Sequence, residues 1–310
     1  MATVKTSEIN WEKLRKLRDF FLSPETRLPQ TYWDRELLSL YDATFARRIR
    51  VKWDHVLTQT SGFVEPAHTL LDWGCGSGVA TEAYLETIKT QPAELLFYDS
   101  SRAAVEYCQG KFRTSHPSIT SGFHDKNKPP AQAFTLLISH VLNELPDNDL
   151  QALLKLVQRA QQTIWVEPGS KDVSRRFTEL RDSLRESIHV IAPCPHTSRC
   201  GMNAPGNEEN WCHFFCKVPS YFSTEAFWRK FSEEMQIDLR SIPLSYLMFS
   251  QNPPRNKSRD KRIIGTVRTY KGYQKFLLCK EEGVAEFTLQ QRDDLSLFKR
   301  LKKDPTAQWD

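Results

Sequence analysis

The stretch LLDWGCGSG, residues 70–78, decides the fold of this chain because it joins a short apolar run to three closely spaced glycines. The apolar run predicts a buried strand, and VATEAYLETIKT directly after the glycines predicts a helix. Glycine lets the backbone of such a loop approach a ligand closely, and the N-terminus of the following helix offers N–H donors. The order acid-x-Gly-x-Gly-x-Gly, which begins at Asp72, differs from the GxGxxG of dinucleotide-binding proteins.

Around this loop, strand-like and helical patterns alternate along the chain. AELLFYD, AFTLLISH and QTIWVEP predict strands, while SRAAVEYCQGKF and NDLQALLKLVQRA predict helices. This alternation predicts a parallel sheet covered by helices on both faces, which is an α/β fold. In this setting the glycine loop resembles the cofactor loop of class I, Rossmann-like methyltransferases. The resemblance implies that the cofactor is S-adenosylmethionine.

Polar residues follow the other predicted strands at the end where a doubly wound sheet binds its ligand. Asp99 ends the second strand, where a carboxylate accepts hydrogen bonds from ribose hydroxyls. Asp125 lies near the end of the third strand, and the resemblance implies contact with the adenine amino group. Ser139 ends the fourth strand. The predicted cofactor-binding residues are therefore Asp72, Gly74, Gly76, Gly78, Asp99, Asp125 and Ser139.

The catalytic residues are less clearly defined by the sequence. Methyl transfer can need little beyond holding the nucleophile and the methyl carbon in line. In HVLNELP (140–146), the candidates for lining the pocket or facing an acceptor are His140, Asn143 and Glu144. Alternatively, His140 and Asn143 have only structural roles, in capping and in satisfying hydrogen bonds within the core. The NPPY-type tetrapeptide of amino-methylating enzymes is not found at residues 139–144, so methyl transfer itself stays an open question.

The patterns divide the chain into four predicted regions. Helical periodicity predicts an N-terminal helical region over residues 1–67. The methyltransferase-like domain covers residues 68–190 and 221–250, and residues 191–220 form a cysteine-rich insertion in it. Short alternating runs, IIGTVRTY, YQKFLLCK and AEFTLQQR, predict a small β extension over residues 251–310.

The charge of the 310-residue chain is unevenly distributed, although the net value is only +5. Residues 251–310 hold 14 Lys and Arg against 8 Asp and Glu. Within them, residues 255–280 hold nine basic residues and one acidic residue, with Tyr270, Tyr273 and Phe276 interleaved. This pattern predicts contact with a nucleic-acid phosphate backbone. The alternative is a solvated basic face without a partner.

No segment has the continuous apolar run of a signal peptide or of a membrane span. Glu8, Glu12 and Asp19 also argue against a transit peptide. We therefore expect a bacterial-type cytoplasmic protein without a membrane partner, and a monomer. In a reducing compartment, clustered cysteines are metal ligands or catalytic thiols more readily than disulfides.

Four of the seven cysteines lie close together, and a fifth follows far downstream. Their order is Cys194-x5-Cys200-x11-Cys212-x3-Cys216, followed by Cys279. Thiolates are soft ligands that select zinc or iron–sulfur clusters, so this segment predicts a metal site. Zinc sites favour paired CxxC or CxxC with HxxxH, and neither pattern occurs here. His196 and His213 stay possible zinc ligands.

Several motifs together resemble the methyltransferase-like protein 17 family, mitochondrial small-ribosomal-subunit assembly factors, and their bacterial relatives. The motifs span most of the chain: LPQTYWD (28–34), LLDWGCGSG (70–78), HVLNELP (140–146), VEPGS (166–170), APCPHTSRC (192–200), WCHF (211–214), LLCKEEG (277–283) and the final WD. The most specific part is APCPH followed by a cysteine and then by WCHF.

This resemblance implies a 4Fe-4S cluster on Cys194, Cys200, Cys212 and Cys279, with Cys216 as the alternative fourth ligand. It also implies small-subunit ribosomal RNA as the partner, contacted by the basic extension and the N-terminal helices during subunit assembly. Three functions follow as alternatives: an S-adenosylmethionine-dependent rRNA methyltransferase, a non-catalytic assembly factor that retains the cofactor site, or a zinc-containing small-molecule methyltransferase.

Overall fold

The structure, a computed structural model, describes residues 9–22, 33–126, 128–254, 260–304 and 306–309. The helices are α1 (Trp11–Leu22), α2 (Arg35–Ala43), α3 (Phe45–Thr60), α4 (Val79–Thr87), α5 (Arg102–Ser115), α6 (Asp147–Arg159), α7 (Lys171–Leu184), α8 (Tyr221–Thr224), α9 (Ala226–Met235) and α10 (Leu295–Lys303). The strands are β1 (Thr69–Trp73), β2 (Glu94–Tyr98), β3 (Thr120–Phe123), β4 (Phe134–Ser139), β5 (Gln162–Pro168), β6 (His189–Ala192), β7 (Phe214–Phe215), β8 (Pro243–Ser250), β9 (Lys261–Thr269), β10 (Tyr273–Lys280) and β11 (Gly283–Gln290).

The chain forms two compact units, residues 1–161 with 217–242 and residues 162–216 with 243–310. Parts of four predicted features lie outside the described residues. They are residues 1–8 and 23–32 of the N-terminal helical region, residues 28–32 of LPQTYWD, residues 255–259 of the basic segment, and Asp310 of the final WD.

The first unit is built on four parallel strands in the order β3-β2-β1-β4. All five residues of β1 are buried, as in a strand covered by helices on both faces. The direction of strand progression reverses between β1 and β4, and ligands of doubly wound sheets bind outside the carboxyl ends at such a point. This arrangement confirms the predicted α/β fold and places the glycine loop at the reversal.

Helices α2 to α5 of the first unit are joined by a half-buried network of ion pairs. The Lys111 Nζ lies 2.7 Å from a Glu82 oxygen and 3.2 Å from an Asp42 oxygen, and the Arg47 guanidinium contacts both carboxylates. Lys111 also donates to the Ser77 carbonyl oxygen at 3.3 Å. The N-terminal helices are therefore fastened to the helices that flank the glycine loop.

The second unit contains two antiparallel groups of strands. Strand β8 pairs with β5, β6 and β7, while β9, β10 and β11 form a separate three-stranded sheet. The three predicted strands of the C-terminal extension are confirmed. The sequence LSLFKRLKK forms α10, which was not predicted, and the Asp294 side chain caps it by accepting from the Leu297 N–H at 2.8 Å.

One face of the three-stranded sheet packs against α10. Phe276 and Leu278 of β10 belong to this core together with Leu297, Phe298 and Leu301 of the helix. Phe276 is only 1% exposed, so it is part of the core and does not present its ring to a nucleic acid as the sequence pattern predicted. Because side chains alternate along a strand, Cys279 faces the opposite side of the sheet.

Within the described residues, no helix combines the length and apolar character needed to cross a membrane.

Candidate functional site

The glycine loop between β1 and α4 has a conformation that other residues adopt with strain. Gly74, Gly76 and Gly78 have φ angles of 76°, 51° and 77°. A Cβ on Gly74 would lie 2.4 Å from Val141 Cγ1, and one on Gly78 would lie 2.7 Å from Phe112 Cε2. The glycines are therefore required both for the backbone conformation and for close packing of the loop against its neighbours.

Asp99 lies beside this loop, just after β2. One carboxylate oxygen accepts from the Gly76 N–H and the other from the Ser101 N–H, each at 2.9 Å. Burial raises the pKa of Asp99, and these backbone donors oppose the rise. The structure thus brings together the loop and the carboxylate that were predicted to hold the cofactor.

Asp72, by contrast, forms its hydrogen bonds inside the fold. Its Oδ2 accepts from the Thr81 hydroxyl at 2.7 Å and from the Thr81 N–H at 3.3 Å, near the start of α4. The other oxygen is buried and has no hydrogen-bond partner among the described residues. Burial raises the pKa of Asp72 to about 7. This geometry gives Asp72 a role in holding the loop to the helix.

The raised pKa of Asp72 predicts a pH-dependent stability. Its carboxyl has a pKa of about 7 in the folded chain and ~3.9 in an unfolded chain, so the folded state binds more protons between these values. The free energy of unfolding therefore decreases as the pH rises from 4 to 7. We expect Asp72→Asn to remove about 2 kcal/mol of this decrease between pH 5 and pH 8, measured by urea denaturation. An unchanged slope would show that other groups cause it, and Glu144→Gln is the comparison because Glu144 titrates in the same range.

A second prediction concerns the third glycine of the loop. Gly78→Ala forces a Cβ into a left-handed conformation and against Phe112 and Cys108, so we expect the free energy of unfolding to fall by about 2 kcal/mol. Gly110→Ala is the matched control, because Gly110 lies in α5 with nothing within 4 Å of the added Cβ. That change should stabilise the chain by ~0.5–1 kcal/mol. Equal effects of the two substitutions in thermal unfolding would contradict the role of the loop conformation.

Ser139 and His140 are bound to α3. The Trp53 Nε1–H donates to the Ser139 hydroxyl at 2.9 Å, and the Lys52 Nζ lies 3.2 Å from His140 Nε2. Burial, followed by the charges of Lys52 and Arg48, lowers the pKa of His140 well below its usual value. His140, which has a φ of 57°, is therefore neutral and engaged within the fold.

Asn143, Glu144 and Asp125 are exposed in the loops after β4 and β3. Although the Glu144 side chain is open to solvent, partial desolvation among its neighbours and the charge of Asp99 raise its pKa to about 7. Tyr41 of α2 was not among the predicted site residues, and its Cε1 lies 4.0 Å from the position of a Cβ on Gly76. After burial, the charges of Glu144, Asp42 and Asp99 contribute most to raising the pKa of Tyr41. Tyr41 and Glu144 thus border the loop together with Asp99.

The second unit contains a pocket with an empty volume of about 350 Å³, its open mouth included. Four thiols line it, three from the cysteine segment and one from β10: Cys194, Cys200, Cys212 and Cys279. Cys279 is buried and the other three are half-buried. The remaining wall is formed by Arg181, Pro193, Pro195, His196, Met202, Phe214, Arg262, Ile264 and Val284. The structure therefore gathers the four cysteines that the resemblance implied.

Cys216 and His213 are not among the described residues that line this pocket. Cys216 is buried beside β7, and the His213 ring stacks on Trp211 with ring centres 4.7 Å apart. His196 does line the pocket, where its Nε2 lies 3.5 Å from Cys279 Sγ. Among the described residues, no three His, Cys, Asp or Glu side chains converge as the ligands of a single metal ion do.

Burial and the neighbouring thiols raise the pKa values of Cys200, Cys212 and Cys279. Burial and the neighbouring Cys194 raise the pKa of Cys200 to about 11, and they raise that of Cys279 still further. Arg181 opposes this trend because its positive charge interacts with the Cys194 sulfur. The same interaction helps to raise the pKa of the Arg181 guanidinium, although burial lowers it. A group that binds as a Lewis acid would have to displace protons from the thiols.

The parallel sheet, its reversal point and the glycine loop with Asp99 define a class I, Rossmann-like methyltransferase fold. Over residues 41–309 the chain matches the family described as Mitochondrial small ribosomal subunit Rsm22. The chain belongs to this family, which confirms the resemblance found in the sequence motifs. No curated protein matches the chain.

Solved structures of several methyltransferases are also similar in fold. The plantazolicin methyltransferase BamL, solved with a desmethylPZN analogue and SAH, is 13% identical with a TM-score of 0.39, over 78% of this chain and 97% of its own. A SAM-dependent methyltransferase from Aquifex aeolicus is 13% identical with a TM-score of 0.38, over 52% and 92%. The 16S rRNA methylase ArmA is 17% identical with a TM-score of 0.36, over 60% and 92%.

Proposed function

We propose that this protein binds small-subunit ribosomal RNA during subunit assembly, holds S-adenosylmethionine on its glycine loop, and carries a 4Fe-4S cluster in its thiol pocket. The observation that carries the proposal is the gathering of Cys194, Cys200, Cys212 and Cys279 around one pocket. Membership of the family described as Mitochondrial small ribosomal subunit Rsm22 supports small-subunit ribosomal RNA as the partner.

The first unit has a cradle that fits the cofactor. The three glycines have left-handed backbone conformations, and Asp99 lies beside the loop, where it accepts from the Gly76 N–H. Asp99 can accept further hydrogen bonds from ribose hydroxyls because each carboxylate oxygen has two lone pairs. When bound, S-adenosylmethionine would supply an electrophilic methyl group. Tyr41 and Glu144 would border the cofactor at the loop.

The donor set of the second unit favours a cluster over one zinc ion. A tetrahedral zinc ion with four thiolates would hold their sulfurs ~3.8 Å apart, given Zn–S bonds of ~2.3 Å. The sequence lacks the paired CxxC and the CxxC with HxxxH that zinc sites favour, and the four thiols line one pocket of the described residues. The cysteines of a 4Fe-4S cluster each ligate a different iron atom and are spaced more widely. A zinc-containing small-molecule methyltransferase is therefore the weaker alternative.

The three-stranded sheet and α10 supply a surface for RNA. At the β9–β10 hairpin, the rings of Tyr270 and Tyr273 stack with centres 4.8 Å apart, and Tyr270 is 43% exposed. The exposed side of α10 bears Lys299, Lys302 and Lys303, opposite the residues that pack on the sheet. Exposed aromatic rings and unopposed basic side chains are suited to unpaired bases and phosphates.

The hairpin predicts a measurable contribution to RNA affinity. We expect Tyr270→Ala to weaken binding of single-stranded small-subunit rRNA fragments about 5- to 100-fold, the loss expected for one stacked base. Phe123→Ala is the control, since Phe123 is also an exposed aromatic residue but lies in the first unit. Fluorescence anisotropy at several salt concentrations would measure both, and equal losses would exclude the hairpin as the stacking surface.

The cluster is tested by purifying the whole protein without oxygen and determining iron, sulfide and zinc. We expect broad visible absorbance with about four irons and four sulfides per chain. One zinc ion per chain without colour would overturn the cluster and favour the zinc alternative. RNA affinity measured on the same preparation tests the partner independently.

Methyl transfer is tested separately from cofactor binding. Asp99→Asn should weaken S-adenosylmethionine binding in equilibrium dialysis while leaving RNA affinity unchanged. If the chain is an rRNA methyltransferase, the same variant abolishes one specific rRNA methyl mark. We favour the non-catalytic assembly factor over the enzyme because the NPPY-type tetrapeptide of amino-methylating enzymes is not found at residues 139–144. A mark lost in the Asp99 variant would reverse this choice.

A further inference from the structure

Two buried arginines form part of the thiol pocket's wall. Arg181 of α7 is 1% exposed and Arg262 of β9 is 7% exposed. In each, the Nε–H is buried without a hydrogen-bond partner among the described residues. An unpaired buried donor costs about 1–3 kcal/mol, and a buried charge without compensation costs more. The wall of the pocket therefore has two buried N–H donors that no described residue accepts from.

Both guanidinium groups are held in place by contacts with neighbouring residues. Arg181 donates to the His196 carbonyl at 2.9 Å, to the Ser198 carbonyl at 2.5 Å and to Asp182 at 2.6 Å. Arg262 donates to the Tyr246 hydroxyl at 2.8 Å, and its guanidinium carbon lies 4.7 Å from the centre of the Phe214 ring. Neither arginine can turn away from the pocket without losing these contacts.

The group that fits these donors is anionic and rich in sulfur. Four cysteine thiolates outweigh the positive charge of a 4Fe-4S core, and the surplus negative charge grows when the core takes up an electron. Hydrogen bonds to sulfur and nearby positive charge are the means by which a protein raises a cluster's reduction potential. Arg181 and Arg262 offer both from within the wall.

Building on the proposed function, we infer that Arg181 and Arg262 are positioning residues for the cluster, donating their Nε–H groups to its sulfur atoms and raising its reduction potential. The couple concerned is the one-electron step between the 2+ and 1+ cores. In the test, dithionite supplies the electron and no cluster bond breaks. The role differs from that of the cysteines, because the arginines stabilise the reduced charge state without ligating iron.

The test is a redox titration of the whole protein followed by electron paramagnetic resonance. We expect Arg262→Gln to lower the ratio of reduced to oxidised cluster about tenfold at a given potential, which is a shift of ~59 mV for one electron. Arg262→Lys should give an intermediate value because it keeps the charge and loses the Nε–H. Arg268→Gln is the matched control on the same strand, since Arg268 is exposed and paired with Glu286.

The outcomes separate this inference from the proposed function. A lowered potential in Arg262→Gln with an unchanged value in Arg268→Gln supports the inference. A full cluster with wild-type potential in both Arg262 variants overturns it and leaves the cluster standing. Absence of iron from the wild-type protein overturns the cluster itself. If Arg262→Gln does not retain the cluster, Arg262→Lys decides, because a wild-type potential there excludes donation by Nε.

Discussion

Cys279→Ser should leave the purified protein with less than about a tenth of the wild-type iron, because the proposed cluster would lose the one pocket thiol that the described three-stranded sheet contributes. A serine hydroxyl is a poor substitute for a soft thiolate, and an incomplete cluster is open to solvent and oxidation. We also expect a lower midpoint of thermal unfolding, since binding to the native state stabilises it and that contribution would be lost. Iron, sulfide and unfolding midpoint are measured on the same anaerobic preparation.

Cys216→Ser is the control that makes this result specific. Cys216 is close in sequence to Cys212 and is buried, yet it is not among the described residues around the pocket. The variant should keep about four irons per chain. If Cys216→Ser loses the cluster and Cys279→Ser retains it, the ligand set is the alternative one and the pocket does not mark the site.

Gly201→Ala should disrupt the same site without altering any thiol. Gly201 follows Cys200, and a Cβ there would lie 2.5 Å from the backbone nitrogen of Val284 and 2.8 Å from the carbonyl carbon of Gly283. These are backbone atoms at the start of β11, so no change of rotamer can relieve the contact. We expect a loss of about 3 kcal/mol in the free energy of unfolding, near the upper end for overpacking, together with loss of iron.

The physical reason is that Gly201 lies where the cysteine segment meets the start of β11. The Asn207 side chain donates to the carbonyl oxygens of both Gly201 and Val284, at 3.0 and 3.1 Å, and so bridges the same two segments. Moving them apart moves Cys200 away from Cys279. Gly62→Ala is the control because nothing lies within 4 Å of its added Cβ. Retention of iron and of wild-type stability in Gly201→Ala would show that this close approach is not required.

The features that could be predicted are those encoded locally. The apolar run of β1, the spacing of the glycines and the position of Asp99 are short-range patterns, and they placed the loop and its carboxylate correctly in the fold. The strands of the C-terminal extension were also predicted from their alternation. Helix α10 was missed because LSLFKRLKK is short and its basic residues fit a charged tail as well as an amphipathic helix.

The features that could not be predicted depend on packing between distant segments. Arg262 was counted in the basic segment expected to contact phosphate, but on β9 it lines the thiol pocket and is buried there. Arg181 has a helical pattern around it that does not reveal which face is covered. Tyr41 approaches the glycine loop from α2, and no spacing in the sequence encodes that approach. Residue type alone did not separate surface charge from buried charge.

Because β10 bears Cys279 on one side and packs against α10 on the other, the order of synthesis affects when a cluster can form. Cys194, Cys200 and Cys212 are translated well before Cys279, so a nascent chain exposes three thiols of the set while the fourth does not yet exist. The strand that bears Cys279 must then pair with β11 and receive α10 on its other side, and both are made later still. We expect iron to enter only after synthesis of the C-terminal segment, so that a chain stalled before residue 279 cannot acquire a complete cluster.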